Sequence, residues 1–493
     1  MMFGMLVALY TSRVILSALG VEDFGISNVV GGFVAMFALI SSALTSSISR
    51  FITFELGRND YVKLKEVFAT SLLIQLSLSA IILIVAETIG LWFVNYKMVI
   101  PAERLYAANW VFQASIFAFI LGLLSTPYNA AIVAHEKMNI FALFGILQIF
   151  LNLLIVLFVA YAPLNFDKLI VYSILMLSVN ITMQALYLAY CYKHFPESHV
   201  GPAYKKQCWK EMSGFAGWNG IGCTAAILRD QGVNVLLNLF FGPIVNAARG
   251  ISGSVSNAIG QFTGNFMTAL NPQITKSYAS GDRDYMFSLV KRGARFGYYI
   301  MLLISIPIIL EAPFILDLWL TQYPDNTVIF VRLVLCYSLI EVLSYTLITL
   351  QVATGKIRNY QLAVGVLLLM NFPLSWVALH FGAPSYAVYI VSIGIGIGCL
   401  LLRLWFLQGM VGLSMGDYLK NVVGNISVVT ACSFILPLAV FFLFHPGILR
   451  VIIVAIVSLF SATFTILFVG CNYSERKFIL GKFHSLKAKF IRA

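Results

Sequence analysis

Charged residues are scarce in this 493-residue sequence: Asp, Glu, Lys and Arg make up 11% of it, against about 25% in ordinary soluble domains. Hydrophobic residues make up 60%, and the mean hydropathy is +0.90. A water-soluble fold cannot bury this much apolar surface, so the composition excludes a soluble enzyme, a disordered scaffold and a coiled coil. The sequence therefore predicts a protein embedded in the lipid bilayer.

Motifs for catalysis and metal binding are missing as well. The seven cysteines are scattered singly, without a CxxC pair or a histidine at zinc-ligand spacing. The sequence contains no GxxxxGK[ST] phosphate-binding loop, no HExxH and no GxSxG. No polar loop is long enough to hold the donor site of a membrane transferase. We therefore expect no enzyme activity, no catalytic residue, no metal and no cofactor, and leave H⁺ or Na⁺ coupling open.

Apolar stretches long enough to cross a bilayer recur along the whole chain. We count fourteen, at residues 1–19, 25–48, 67–94, 107–132, 140–162, 168–192, 213–240, 244–270, 288–312, 327–353, 361–381, 385–408, 424–444 and 447–470. The first has only twelve residues before Arg13, which leaves open whether the natural start lies upstream of Met1. The fold class predicted is an all-α membrane protein with about 14 transmembrane helices.

Lysine and arginine alternate strongly between the loops of the two sides. Twenty-four fall on one side, and three lie within spans. The other side holds only Lys97, Arg104, Lys168, Arg332 and Arg450. Cytoplasmic loops of membrane proteins carry the excess of Lys and Arg, so both termini are predicted to be cytoplasmic. The net charge of +12 then reflects these loops, and we expect no nucleic-acid partner.

Short strings recur between the two halves of the chain. The pairs Leu19-Gly20 and Ile52-Thr53 are repeated as Phe241-Gly242 and Ile274-Thr275, an offset of 222, and GRNDY at 57–61 resembles GDRDY at 281–285, an offset of 224. Two pseudo-symmetric six-helix lobes are predicted, with a substrate site between them. The predicted segments are an N-lobe with helices 1–6 (1–195), a cytoplasmic linker loop (196–212), a C-lobe with helices 7–12 (213–410), helices 13 and 14 (411–471) and a basic cytoplasmic tail (472–493).

Polar side chains inside the predicted spans define the candidate site, because a charge at mid-membrane costs about 2.5–3.5 kcal/mol. In the span at 244–270, two rows recur at four-residue steps. One row is Arg249, Gly253, Asn257, Gln261 and Asn265, and it predicts the lining of a water-filled cavity. The other is Ser252, Ser256, Gly260 and Gly264, and it is typical of close helix packing.

Three arginines within spans indicate an anionic substrate, since the planar guanidinium fork binds two phosphate oxygens at once. They are Arg13, Arg229 and Arg249. Arg13 can alternatively extend to the outer interface. The substrate-binding candidates are thus Arg13, Arg229, Arg249, Asn257, Gln261 and Asn265.

Deep carboxylates are the candidates for ion coupling. Asp230 is the first and Glu341 the second, and the alternative for Asp230 is a permanent salt bridge to Arg249 or Arg13. Adjacent residues on a helix point about 100° apart, so we do not expect Arg229 to neutralise Asp230. Glu311 lies near a predicted span end, where a carboxylate can reach the interface.

Three strings resemble the polysaccharide-transport branch of the multidrug/oligosaccharidyl-lipid/polysaccharide (MOP) exporter superfamily, the Wzx-type flippases. They are LYTSRVILSALGVEDFGISNVVGG (9–32), RFITFELGRND (50–60) and PYNAAIVAHEKM (127–138). The resemblance implies a MATE/MurJ-like fold in which two C-terminal helices follow the lobes, acting as a monomer in the bacterial cytoplasmic (inner) membrane. It also implies flipping of an undecaprenyl-pyrophosphate-linked oligosaccharide and partnership with a polysaccharide polymerase. Lipid II flipping and MATE-type drug/cation antiport are the alternatives.

Overall fold

The computed structural model describes most of the chain. It covers residues 37–96, 100–163, 166–199, 205–241, 243–320, 323–477 and 481, with scattered positions between 7 and 34. Throughout these ranges the regular structure is helical, and they contain no β-strand. The all-α prediction is confirmed.

The helices are long and follow one another through short turns. The first seven are α1 (Ala38–Gly57), α2 (Tyr61–Tyr96), α3 (Leu105–Ala134), α4 (Met138–Tyr161), α5 (Lys168–His194), α6 (Lys206–Phe241) and α7 (Pro243–Ser280). The next six are α8 (Arg283–Trp319), α9 (Thr327–Thr354), α10 (Arg358–His380), α11 (Ala387–Val411), α12 (Met415–Leu443) and α13 (Ile448–Gly470). Most of the first predicted span falls outside the described residues, so the count of fourteen stays a prediction.

Ten of the described helices are long and apolar enough to cross a membrane. In the apolar stretch of α4 only 17% of the residues are buried inside the protein, so most of its surface needs lipid rather than water as a solvent. The three described helices outside this set of ten are α1, α6 and α7. The last two carry the candidate residues Arg229 and Asp230 (α6) and the two four-residue rows (α7), and these polar side chains lower their apolar content.

Two compact units divide the chain. The first comprises Met1–Thr224 and Thr275–Gly281, and the second comprises Ala225–Ile274 and Asp282–Ala493. One boundary thus falls inside α6, after Thr224. The lobe limits drawn from the sequence stay predictions.

The turns after α1 and after α7 have the same hydrogen bonds. Asn59 and Gly281 both have positive φ, and their amides donate to the main-chain oxygens of Leu56 and Tyr278. The next residue is an aspartate that caps the following helix: Asp60 accepts from the Lys63 amide, and Asp282 from the Tyr285 amide, each at 3.1 Å. These turns are in register at an offset of 222, so the offset of 224 inferred from the two pentapeptides is wrong.

A kink interrupts α8 at Glu311, whose φ and ψ are −100° and 21°. Pro313 lacks the N–H that would bond the Ile309 oxygen, and Arg332 Nε donates to that oxygen instead at 2.9 Å. The Glu311 carboxylate is only 1% exposed and lies 2.8 Å from Arg450 Nε. The expectation that Glu311 reaches the interface is wrong, because the kink turns it towards α13.

A hydrophobic core holds the candidate site in the second unit. Leu236 and Leu237 of α6 pack with Ala248 of α7, Phe330 of α9 and Tyr389 of α11. Arg229 lies about two turns before this core on α6, and Arg249 directly follows Ala248. The core therefore fixes the backbone positions from which both arginines extend.

Candidate functional site

The Arg229 side chain is 11% exposed, and its guanidinium has three polar partners. Its Nη2 and Nε lie 3.0 Å from Asp230 Oδ1, and its Nη1 donates to the Tyr337 hydroxyl. Glu341 Oε1 lies 3.8 Å from Nη1 and accepts from the Tyr337 hydroxyl at 3.1 Å. An arginine, a tyrosine and two carboxylates therefore form one polar cluster across α6 and α9.

The contact between Arg229 and Asp230 corrects the sequence prediction. The two side chains leave the helix about 100° apart, but the long arginine side chain folds back onto its neighbour. Asp230 keeps the more open position, with its side chain 57% exposed. Its carboxylate pairs with Arg229, whereas the anticipated alternative partner Arg249 binds its main chain.

Arg249 contacts the same cluster from α7. Its Nη2 donates to the main-chain oxygen of Asp230 at 3.1 Å, and its guanidinium lies 5.8 Å from the centre of the Tyr389 ring. Among the described residues no carboxylate lies within 4 Å of its nitrogens. Its positive charge is therefore not cancelled by an ion pair in the part of the chain that the structure describes.

A cavity of about 570 Å³ adjoins the cluster in the second unit. Asn257 and Gln261 of α7 line it together with Glu341 and Tyr345 of α9. Asn265, the last member of the predicted row, instead has its side-chain nitrogen 2.5 Å from the Gln261 main-chain oxygen. The structure thus brings Asn257 and Gln261 together with a carboxylate and a phenol.

The row of small residues makes the predicted helix contacts only in its first half, where Ser256 bonds the Ser338 hydroxyl of α9 at 2.8 Å. Ser252 is buried and bonds the Tyr389 hydroxyl at 3.0 Å, as a packing residue should. A Cβ at Gly260 or Gly264, however, would meet no described atom within 4 Å. Gly293 of α8 makes the close approach to α7, since a Cβ there would lie 2.2 Å from Leu270 Cδ2. The helix contact therefore uses a glycine of α8 that the row did not include.

Aromatic residues of the cluster were missed from the sequence. Tyr337 and Glu341 are four residues apart on α9, a spacing that places them on one face and could have revealed the pair. Tyr389 gives no such signal, because only the packing of α11 brings it to α7. Arg13 lies outside the described residues. No group of three or more potential metal-ligating side chains occurs in the described ranges.

No known family profile matches the chain, and no curated protein matches its sequence significantly. Solved structures do match. An outward-facing multidrug resistance MATE family transporter of the MOP superfamily aligns with a TM-score of 0.71 at 14% identity, covering 84% of this chain and 94% of that one. MATE in a bent conformation aligns at 0.67 and 15% identity, covering 87% and 94%.

A third similar structure is a MOP superfamily transporter from Pyrococcus furiosus, described as having a binding pocket of reversed polarity that suggests a different function. It aligns with a TM-score of 0.69 at 14% identity, covering 84% of this chain and 94% of that one. At such identities the likeness shows the fold alone. This chain is a multi-pass membrane protein with the MATE fold of MOP superfamily transporters. The MATE-like fold implied by the sequence resemblance is confirmed, whereas membership of the superfamily and the Wzx-type specificity stay predictions.

Proposed function

We propose that this protein is a flippase for an undecaprenyl-pyrophosphate-linked oligosaccharide, such as an O-antigen, capsule or exopolysaccharide repeat unit. It moves this substrate from the inner to the outer leaflet of the bacterial cytoplasmic membrane by alternating access. In this proposal both termini are cytoplasmic, the protein acts as a monomer, and a polysaccharide polymerase uses the flipped product. The MOP-type fold and the three Wzx-like strings of the sequence support it.

The position of Arg249 carries the proposal. A pyrophosphate that crosses the membrane needs positive charge to compensate its own at membrane depth. Arg229 is already matched by Asp230 and Glu341, whereas Arg249 donates to a main-chain oxygen and has no carboxylate partner among the described residues. Of these two arginines, Arg249 is therefore the one that can bind a phosphate without first breaking an ion pair to a described residue.

The adjoining cavity suits the sugar part of such a substrate. Asn257 and Gln261 supply amide donors and acceptors, and Glu341 and Tyr345 add a carboxylate and a phenol. Sugar hydroxyls both donate and accept hydrogen bonds, so this mixture can satisfy them. In the proposal Arg249 contacts the pyrophosphate and this cavity contacts sugar.

Ion coupling is proposed to run through Glu341 or Asp230. Glu341 both lines the cavity and lies next to Arg229, so the arrival of substrate and the strength of that ion pair can affect each other. Asp230 is more exposed and closer to Arg229. A proton or Na⁺ that binds either carboxylate would weaken that carboxylate's ion pair with Arg229.

Two other cargoes share part of this chemistry. Lipid II carries the same pyrophosphate on the same polyprenyl tail, so Arg249 serves it equally well. A drug/cation antiporter needs a carboxylate that is available to a cation, and both Asp230 and Glu341 are engaged by Arg229. The contacts therefore favour an anionic lipid over a cationic drug.

Reconstituted protein tests the proposal directly. Proteoliposomes would carry an undecaprenyl-pyrophosphate oligosaccharide, lipid II or a cationic dye, and the rate of transfer between leaflets or across the membrane would be measured. We expect Arg249→Ala to slow flipping of the oligosaccharide lipid by roughly 30-fold or more, since losing one partner of a desolvated charge contact costs about 2 kcal/mol or more. Arg249→Lys should recover part of the rate.

The internal repeat supplies a matched control. Ser27 occupies the position equivalent to Arg249 at the offset of 222, and Ser27→Ala should flip at the normal rate. A normal rate for well-folded Arg249→Ala would contradict the phosphate role. Faster transfer of lipid II, or of the dye alone, would replace the cargo with one of the alternatives.

A further inference from the structure

A second cavity, of about 610 Å³, lies in the second unit and shares no lining residue with the first. It is formed by the beginning of α8, the beginning of α12 and the end of α13. Among the described residues, the side chains that line it include one carboxylate, Asp284, and four cations, Lys291, Arg292, Arg295 and Lys420. These loops and helix ends belong to the side that the charge distribution predicts to be cytoplasmic. The cavity therefore presents an excess of positive charge.

Two π-helical turns build the walls of this cavity. Leu419–Gly424 contributes Lys420 and Asn421, and Ile466–Gly470 contributes Val469. Such turns are rare and occur frequently at functional sites. Only one other, Ala86–Gly90, occurs in the described part of the chain. Two distortions of this kind at one cavity indicate a shaped site rather than a gap between helix ends.

The wall at Gly470 is held in place by hydrogen bonds. Its main-chain oxygen accepts from Arg295 Nη1 at 3.1 Å and from the Tyr299 hydroxyl at 3.2 Å. A Cβ on Gly470 would lie only 2.6 Å from the Tyr299 oxygen, so the close approach requires glycine. Arg295 is further fixed by Glu475 Oε1 at 2.6 Å. This arginine therefore organises the wall, and its charge is matched.

The remaining cations are more accessible. Lys291 pairs with Asp417 at 2.7 Å, but Lys420 is exposed and has no carboxylate within 4 Å among the described residues. The side chain of Arg292 is half exposed, and its Nε lies 3.2 Å from a Glu475 oxygen that Arg295 already uses. Arg292 and Lys420 are thus the side chains that can bind an entering anion.

We propose that this cavity binds the phosphate of an anionic phospholipid headgroup from the cytoplasmic leaflet. Val428 and Val469 also line it, and they are 51% and 45% exposed on the apolar outer surfaces of α12 and α13. A site where basic side chains meet a lipid-facing apolar surface matches a headgroup joined to acyl chains. A free phosphate has the same charged group, but it has no acyl chains that could pack against these valines.

Lipid binding to the purified full-length chain tests the proposal. Native mass spectrometry and a titration in detergent would compare dioleoyl phosphatidylglycerol, dioleoyl phosphatidylcholine and inorganic phosphate. We expect phosphatidylglycerol to bind more tightly than phosphatidylcholine, and Arg292→Gln or Lys420→Gln to weaken it about five-fold each, which is the effect of one basic residue near an anionic lipid. Lys65→Gln removes one exposed charge from the first unit and should leave binding unchanged.

Each outcome decides the proposal. Equal binding of the two lipids, or equal weakening by Lys65→Gln and the two cavity variants, would overturn it. Millimolar inorganic phosphate that binds alone and displaces phosphatidylglycerol would assign the cavity to a free anion instead. Thermal unfolding of each variant excludes misfolding as the cause. Flipping measured with Arg249 intact is a separate readout, so this test and the test of the transport proposal can fail independently.

Discussion

Helices α2 and α8 occupy equivalent positions in the internal repeat, and both depart from regular α-helix at the same place. The π turn Ala86–Gly90 begins twenty-six residues after the capping Asp60, and the kink at Glu311 comes twenty-nine after Asp282. The first break leaves Glu87 half-buried and bonded to Gln113 at 3.1 Å. The second buries Glu311 against Arg450. The repeat thus preserves the position of the break, while the side chains there have diverged.

Removing Arg450 should give the largest effect at these two breaks. Arg450→Ala leaves the buried Glu311 charge unpaired, which typically costs about 3–5 kcal/mol, and thermal unfolding in detergent measures the loss. Replacing both partners, with Glu311→Leu and Arg450→Leu, should restore most of the stability because no charge then remains buried. Glu87→Ala at the equivalent break should cost only about 0.5–1.5 kcal/mol. Similar losses for Glu87→Ala and Arg450→Ala would show that the two breaks do not differ in this way.

The second arginine at the kink should have an intermediate effect. Arg332→Ala leaves the Ile309 oxygen without its donor, at a cost of about 1–3 kcal/mol. Pro313→Ala supplies an N–H four residues after Ile309 and can close that hydrogen bond within the helix. In the Pro313→Ala protein, Arg332→Ala should therefore lower the stability much less. A double-mutant cycle measured by thermal unfolding gives the coupling, and additive losses would mean that Arg332 does not replace the missing helical bond.

The difference between the breaks in α2 and α8 also shows which features the sequence alone can predict. Hydropathy locates the helices, and the four-residue spacing of Asn257 and Gln261 identifies two side chains that line one cavity. Such patterns describe one helix at a time. The partner of Glu311 lies on α13 and that of Arg249 includes Tyr389 on α11, so only the packing of distant segments reveals them. The sequence did not predict the contact between Arg229 and Asp230 for a different reason. The two side chains leave the helix about 100° apart, but the arginine side chain is long enough to reach its neighbour.

The smallest expected effects concern the turns that set the register of the repeat. Asp60 and Asp282 cap α2 and α8 by equivalent hydrogen bonds, so replacing either by alanine should cost about 1 kcal/mol, as for other N-caps. The offset of 224 would make Asp284 the counterpart of Asp60. Asp284 lies in the first turn of α8, where a carboxylate contributes only about 0.3–1 kcal/mol through the helix dipole.

Hydrogen exchange at the Lys63 and Tyr285 amides separates the two registers. Exchange at Tyr285 should accelerate in Asp282→Ala as much as exchange at Lys63 does in Asp60→Ala. If Asp284→Ala accelerated Tyr285 exchange equally, the offset of 222 would lose its support.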